Sequence, residues 1–362
     1  MQQIKEALAA GYAAFQRGAL DEARRHLDGV DHVKAIHLLA IVEKKAGNTW
    51  AAARLFARAA ELDPHDPEIA NNRANLARQD GDLALAESEF RRALAVNPAF
   101  RQAGTGLGRL LIDTERWQDA LELYEPLVKA DPADVVLRYG LATALLNLGG
   151  TEEAERLFDT LVREGYDQPQ ILFMRGRARL ELNEVEAALD DLRASHAAQP
   201  SDFTLRTLAS TYWVRRDEGE FRELLKQSEQ VPQLAVTTAE IYRQSGDPRR
   251  ALDVLASART VAPLPGESWS VAATAHIDLE QAPEAEAAAR ACLAQNPGDR
   301  LILGSFLTSL LMQGKAEEAM PVIQRMREAE PNGQHWIAYE ATALRLMGSA
   351  RYRELVDLDR FV

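Results

Sequence analysis

Two His-x-Asp pairs, His26-Asp28 and His276-Asp278, are the residues of this 362-residue chain that most resemble a metal ligand set. A non-haem iron centre needs two histidines and a carboxylate on one face, with positions left open for substrate and oxygen. Both pairs lie in stretches that read as helix, where side chains two residues apart diverge by about 200°. Neither pair chelates one ion in that setting, and no metal site is expected. Gly104-x-Gly106-x-Gly108 has the tight spacing of a phosphate cradle, but no strand precedes it, and glycines inside a helix serve instead to let another helix approach. GxSxG and GxxxxGK[ST] do not occur. The single cysteine, Cys292, excludes an internal disulfide and fits a reducing compartment. Accordingly no catalytic residue, metal or cofactor is expected.

The elements that position these residues read as helices throughout. Aromatics are 6% of the chain, Ala and Leu dominate, and no run of alternating β-branched residues appears. A formal charge of −13 disfavours nucleic-acid binding, which needs a concentrated basic face. Residues 1–18 lack a continuous apolar run with a cleavage signal, and no stretch approaches the roughly 20 apolar residues of a membrane helix. The expected location is cytoplasmic, without membrane contact.

A strict spacing organises the helices. Alanine recurs every 34 residues at Ala52, Ala86, Ala120, Ala154 and Ala188, and again at Ala251, Ala285 and Ala319. Proline follows at Pro64, Pro98, Pro132 and Pro200, then at Pro263, Pro297 and Pro331. A period in this range marks units that cannot bury their apolar face alone and must stack on neighbours. In residues 67–100 a first helix runs to about Asp80, Gly81 stops it, and a second runs from Leu83 to Val96 before Pro98. Ala74 and Ala86 let the two backbones approach, and Phe90, with Phe56, Tyr124 and Phe158 at the equivalent place, fills the space beyond.

These residues resemble the tetratricopeptide repeat, a 34-residue helix–turn–helix. Gly108, Ala120, Tyr124 and Pro132 match its small, small, aromatic and proline positions, as do Ala142, Gly149, Ala154 and Phe158; Tyr242 and Trp269 match first-helix aromatics. The implied fold is all-α, a right-handed α-solenoid of about ten such repeats. At helix-B position 292 the resemblance implies a buried, inert thiol. It also implies that first helices line a concave surface through their fifth, ninth and twelfth residues. Those are His37, Asn71, Thr105, Tyr139 and Phe173; then Ile41, Asn75, Arg109, Thr143 and Arg177; then Lys44 and Arg78. From this lining we select Asn71, Asn75, Arg78, Arg109, Tyr139, Phe173 and Arg177 as a candidate groove for a protein or peptide segment. The arrangement is similar to the carboxylate-clamp type of repeat, whose full lysine, asparagine and arginine set is not matched. Glu240, Thr274 and Thr308 hold the ninth place further along, and the Ala285 to Ala289 run reads as tight helix packing.

The spacing breaks once. From Ala188 to Ala251 the chain falls five residues short of two periods, which divides it into an N-terminal array (1–202), a shortened repeat with a kink (203–231), a C-terminal array (232–333) and a terminal segment (334–362). Trp213 is expected to plug the joint, with an exposed anchor for a partner as the other reading. The terminal segment, through Asp357-Leu358-Asp359-Arg360-Phe361-Val362, is similar to the junction in bacterial proteins whose repeat array precedes a 2-oxoglutarate- and iron(II)-dependent oxygenase domain. The chain then reads either as a binding scaffold or as the substrate-recruiting arm of such an oxygenase. Oligomeric state is left open.

Overall fold

A computed structural model describes residues 2–329 and 335–349 of the chain. Among the described residues there are 21 α-helices, one 3₁₀ turn at Pro232–Leu234, and no strand. Gln2–Gln16 and Leu20–Leu27 make the first helix–turn–helix pair; nine more follow, then the first helix of another, His335–Leu346. The second half of that last pair, including the 350–362 stretch that carries the oxygenase resemblance, lies outside the described residues.

The 34-residue spacing marks where backbones touch. All eight alanines of the two series are 0% exposed, as are Phe56, Phe90 and Phe158. Helix ends follow from equally local chemistry. Asp66 Oδ1 accepts from the amides of Glu68 (2.8 Å) and Ile69 (3.2 Å), and Asp134 repeats this at Val136 and Leu137, satisfying amides that no helical carbonyl reaches. Each pair is closed by a left-handed turn residue. Gly47, Gly81, Glu115, Gly149 and Asn183 keep the 34-residue step, and so do Gly246, Glu280, Gly314 and Gly348. Between Asn183 and Gly246 stands Arg216 at φ 60°, with steps of 33 and then 30 residues on its two sides. Most of the missing length therefore lies between Arg216 and Gly246. The second helix there, Glu218–Ser228, has 11 residues, and the next first helix, Ala235–Gln244, has 10.

The chain forms two compact units, Met1–Asp191 and Leu192–Val362. In the first, the glycines of helix Arg101–Asp113 each face a large side chain: a Cβ at Gly104 would overlap Leu127, one at Gly106 would overlap Phe90, and one at Gly108 would overlap Tyr124. Gly140, on helix Val135–Asn147, closes over the same Tyr124 ring from the other side. The glycines are packing contacts, as their helical setting predicts. Near the end of this unit Arg175 and Arg179 converge on Asp191 at 2.5 and 2.8 Å, and both also reach Asp159.

In the second unit, Glu286 accepts from Lys315 (2.7 Å), Arg290 (2.7 Å) and Gln313 (2.9 Å). The Lys315 ammonium holds its carboxyl down to about 2, against the cost of burial, with Arg290 and Gln313 assisting. Because the folded pKa lies below the ordinary value of 4.5, the stabilisation is complete above pH 4.5 and is lost as pH falls through about 2. Screening by solvent around the part-exposed Lys315 and Arg290 reduces it to about 1–2 kcal/mol. Glu286→Gln should lower the urea midpoint at pH 6 and match wild type near pH 2; an unchanged gap at both pH values would contradict this.

Candidate binding surface

On the first helices of the N-terminal unit the selected residues form separate groups. Asn71, Asn75 and Arg78 recur at i, i+4 and i+7 along helix Pro67–Gln79 and so share a face. Asn75 Nδ2 donates to the Asn71 carbonyl (2.9 Å), whereas Asn71 itself is buried and its Oδ1 has no partner among the described residues. Arg78 lies beside Lys44 from helix Val33–Lys45. Burial lowers the Lys44 pKa, the neighbouring Arg78 charge lowers it further, and Asp80 partly offsets them. Among the described residues no carboxylate lies within ion-pair distance of either cation, and Arg78 Nε is buried without an acceptor. His37 Nε2 lies 2.9 Å from Asn72 Nδ2, its ring meets Phe56 edge-on at 5.9 Å, and burial lowers its pKa, favouring the neutral imidazole.

A second group gathers Tyr139, Phe173 and Arg177. Tyr139 and Phe173 are half-buried against the cluster around Phe158, with the Tyr139 ring edge-on to it at 6.0 Å. Burial raises the Tyr139 phenol pKa, while the Thr143 contact and the Arg177 charge pull the other way. Arg177 Nη1 reaches Met174 Sδ at 3.8 Å. Thr143 is buried, donating to the Tyr139 carbonyl at 2.8 Å. Arg109 stands apart and open to solvent, 3.7 Å from Asp113. Ile41 packs against the cluster around Phe56, and Thr105 donates to Gln102 O at 3.1 Å.

The C-terminal unit brings its ninth-place residues together. Glu240, Thr274 and Thr308 line one groove of about 1110 Å³ with Arg206, Arg243 and Tyr339. Thr274 and Thr308 donate to the carbonyls of Ser270 and Gly304 on their own helices at 3.0 and 2.9 Å, which leaves their hydroxyl oxygens as acceptors. Arg243 bridges Glu240 (2.8 Å) and Asp278 (3.0 Å); burial opposes ionisation of Glu240, yet Arg243 outweighs it and the carboxyl sits below its ordinary value. Arg243, three residues after Glu240, stands at the twelfth place of its repeat, as Lys44 and Arg78 do in theirs, and its acid Asp278 lies about one repeat further on. Arg206 stands at none of the three places, so the place rule does not find it.

Cys292 is buried in the groove wall, its Sγ 3.6 Å from Gly266 O, and burial raises its pKa, so it remains a thiol. The His-x-Asp pairs are spent on other contacts: His276 Nδ1 lies 2.7 Å from Gln281 Oε1, Asp278 holds Arg243, and His26 faces Glu22 at 3.8 Å. Asp28 is one residue past helix Leu20–Leu27 rather than inside it. No group of three or more His, Cys, Asp or Glu among the described residues has metal-binding geometry. No helix among them is long and apolar enough to cross a membrane.

Two family profiles, both described as tetratricopeptide repeat, match residues 111–180 and residues 37–103, 74–135 and 236–300, together more than half of the chain. The chain is a tetratricopeptide-repeat protein. Protein FlbA of Caulobacter vibrioides is 29% identical over 177 residues, 48% of this chain and 30% of that protein. Small glutamine-rich tetratricopeptide repeat-containing protein 2 of Mycosarcoma maydis is 33% identical over 104 residues, 29% of this chain and 30% of that protein. The matched stretch is thus under a third of either relative. Among solved structures, a tetratricopeptide repeat protein from Parabacteroides merdae matches with a TM-score of 0.44 and 14% identity, covering 86% of this chain and all of that one.

Proposed function

We propose that this tetratricopeptide-repeat protein is a non-catalytic cytoplasmic scaffold that holds an extended segment of a partner protein on the exposed faces of its first helices. The observation that carries the reading is the C-terminal groove, where the equivalent places Glu240, Thr274 and Thr308 of successive repeats set polar groups along one mixed polar and apolar lining. Its volume suits several residues of extended chain, and its carboxylate, hydroxyl and guanidinium groups match the alternating donors and acceptors of a peptide backbone. In the N-terminal unit, the unpaired cations Lys44 and Arg78 offer an acidic side chain a partner that the chain itself does not supply. Asn75 supplies an amide on the same face, Arg109 is open, and Tyr139 with Phe173 gives apolar contact beside Arg177.

Partner capture by the full chain tests this. Arg109→Ala and Arg177→Ala should each weaken the captured set about tenfold in washed pull-downs, and Thr274→Trp should block the second groove. Capture unchanged by all three would remove both surfaces from consideration. The second reading, a recruiting arm for a 2-oxoglutarate- and iron(II)-dependent oxygenase, draws on the sequence of 350–362 and on nothing in the described residues.

A further inference from the structure

The trimmed repeat borders two hollows that share Trp213 and Phe221. Helix Asp202–Arg215 is of ordinary length, but the two helices that pack after it are short. Trp213, near its end, is 58% exposed, so the expected plug is not what the chain builds. A plug needs helices on both sides, and the shortened pair supplies only one: the indole leans on Phe221 with ring centroids 5.5 Å apart, and its other face is open. Next to it lies a pocket of about 440 Å³ floored by Ala209, Phe221 and Ile241. Phe203 and Val214, 74% and 81% exposed on the same helix, extend the apolar surface.

The charge around this surface runs against that of the chain. Arg206 borders the pocket, and Arg216 and Lys226 border a wider hollow of about 1070 Å³ on the other side of Trp213 and Phe221. Arg222 and Arg250 there are answered by Glu218 and Glu229, at 2.9 and 2.6 Å. Among the described residues Arg206, Arg216 and Lys226 have no carboxylate within ion-pair distance, although Glu240 feels Arg206 and Glu229 feels Lys226 at longer range, and Asp247 lines the wider hollow too. Arg206 at the apolar pocket and Arg216 with Lys226 at the adjoining hollow, on a protein of net charge −13, favour an occupant that is itself acidic and carries an apolar side chain. Arg206 lines the C-terminal groove as well, so a segment lying in that groove reaches the pocket.

We propose that the Trp213 pocket is a second, selective subsite that takes an aromatic or large aliphatic side chain from an acidic peptide segment. The inference rests on the peptide-binding reading above and adds the chemistry of the ligand. Apolar contact with Trp213 and Phe221 supplies the anchor, and the cations steer acidic flanks toward it while disfavouring basic ones.

Selection of a random displayed 12-residue peptide library on the full chain tests it. The expected winners carry two or more Asp or Glu around one Phe, Trp, Leu or Ile. They should bind Trp213→Ser at least about tenfold more weakly, and Arg216→Glu/Lys226→Glu likewise. Because all three side chains are exposed, the variants should keep the wild-type helical circular dichroism, and the charge reversal supplies a second readout should Trp213→Ser lose its fold. Winners that bind wild type and all variants equally would overturn the subsite and leave the peptide-binding reading standing. No enrichment on wild type would overturn both. Dimerisation of wild type that Trp213→Ser abolishes, without peptide enrichment, would give the pocket to a second copy of the chain and overturn the proposal.

Discussion

Asp191→Ala is expected to destabilise the N-terminal unit by about 3 kcal/mol. Asp191 is buried and receives both Arg175 and Arg179, whose own side chains are nearly enclosed. Removing one member of a buried ionic group leaves the remaining charges without solvent or partner, which costs about 3–5 kcal/mol. Asp159 and Glu155 soften the loss because Asp159 still holds both arginines and Glu155 holds Arg179, hence the lower end. Amide exchange across helices Thr151–Arg163 and Pro169–Glu181 reads the effect locally, which matters in a repeat protein whose units need not unfold together. Protection unchanged within about 1 kcal/mol would mean that Asp159 and Glu155 suffice and that Asp191 is dispensable.

The second large effect concerns the ring of Tyr124. Gly108→Ala combined with Gly140→Ala places a methyl group against each side of it, and with both helices closed the ring cannot withdraw. Overpacking of this kind costs about 1–3 kcal/mol per site, so the pair should lose about 4 kcal/mol by urea unfolding, despite alanine's helix preference over glycine. In a Tyr124→Ala background the sign should reverse, because the clash is gone and each alanine then contributes its preference of about 1 kcal/mol. Losses that persist at full size without the ring would show that the glycines serve something other than Tyr124.

The parts of this molecule legible in its sequence are those set by steric exclusion. Where two helix backbones nearly touch, only a small residue fits, so Ala86, Ala120 and Ala154 betray their surroundings by type alone. Turn positions are nearly as open, since left-handed backbone favours glycine. Depth on the first-helix face is a different matter. The place rule locates Asn71 and Asn75 on one face, but which of them is covered depends on the length of neighbouring side chains, and Asn71 proves buried. The same rule places Glu240, Thr274 and Thr308, whose shared groove is present, and its twelfth place falls on Arg243, yet it passes over Arg206, whose long stem carries its charge into that groove from an adjacent place. Trp213 departs from its expected role for a related reason: the five-residue deficit is legible in the spacing, but the sequence does not show that the loss opens the flank of the indole instead of closing over it.

Glu115, Asn183 and Glu280 sit in turns that elsewhere use glycine, with φ between 57° and 61°, a conformation that asks roughly 1 kcal/mol of an ordinary side chain. The protein therefore operates below the thermal tolerance its architecture permits. Heat resistance lies three single-residue changes away, at positions that do not themselves line either candidate surface, so hardening the scaffold and altering its clientele are separable problems.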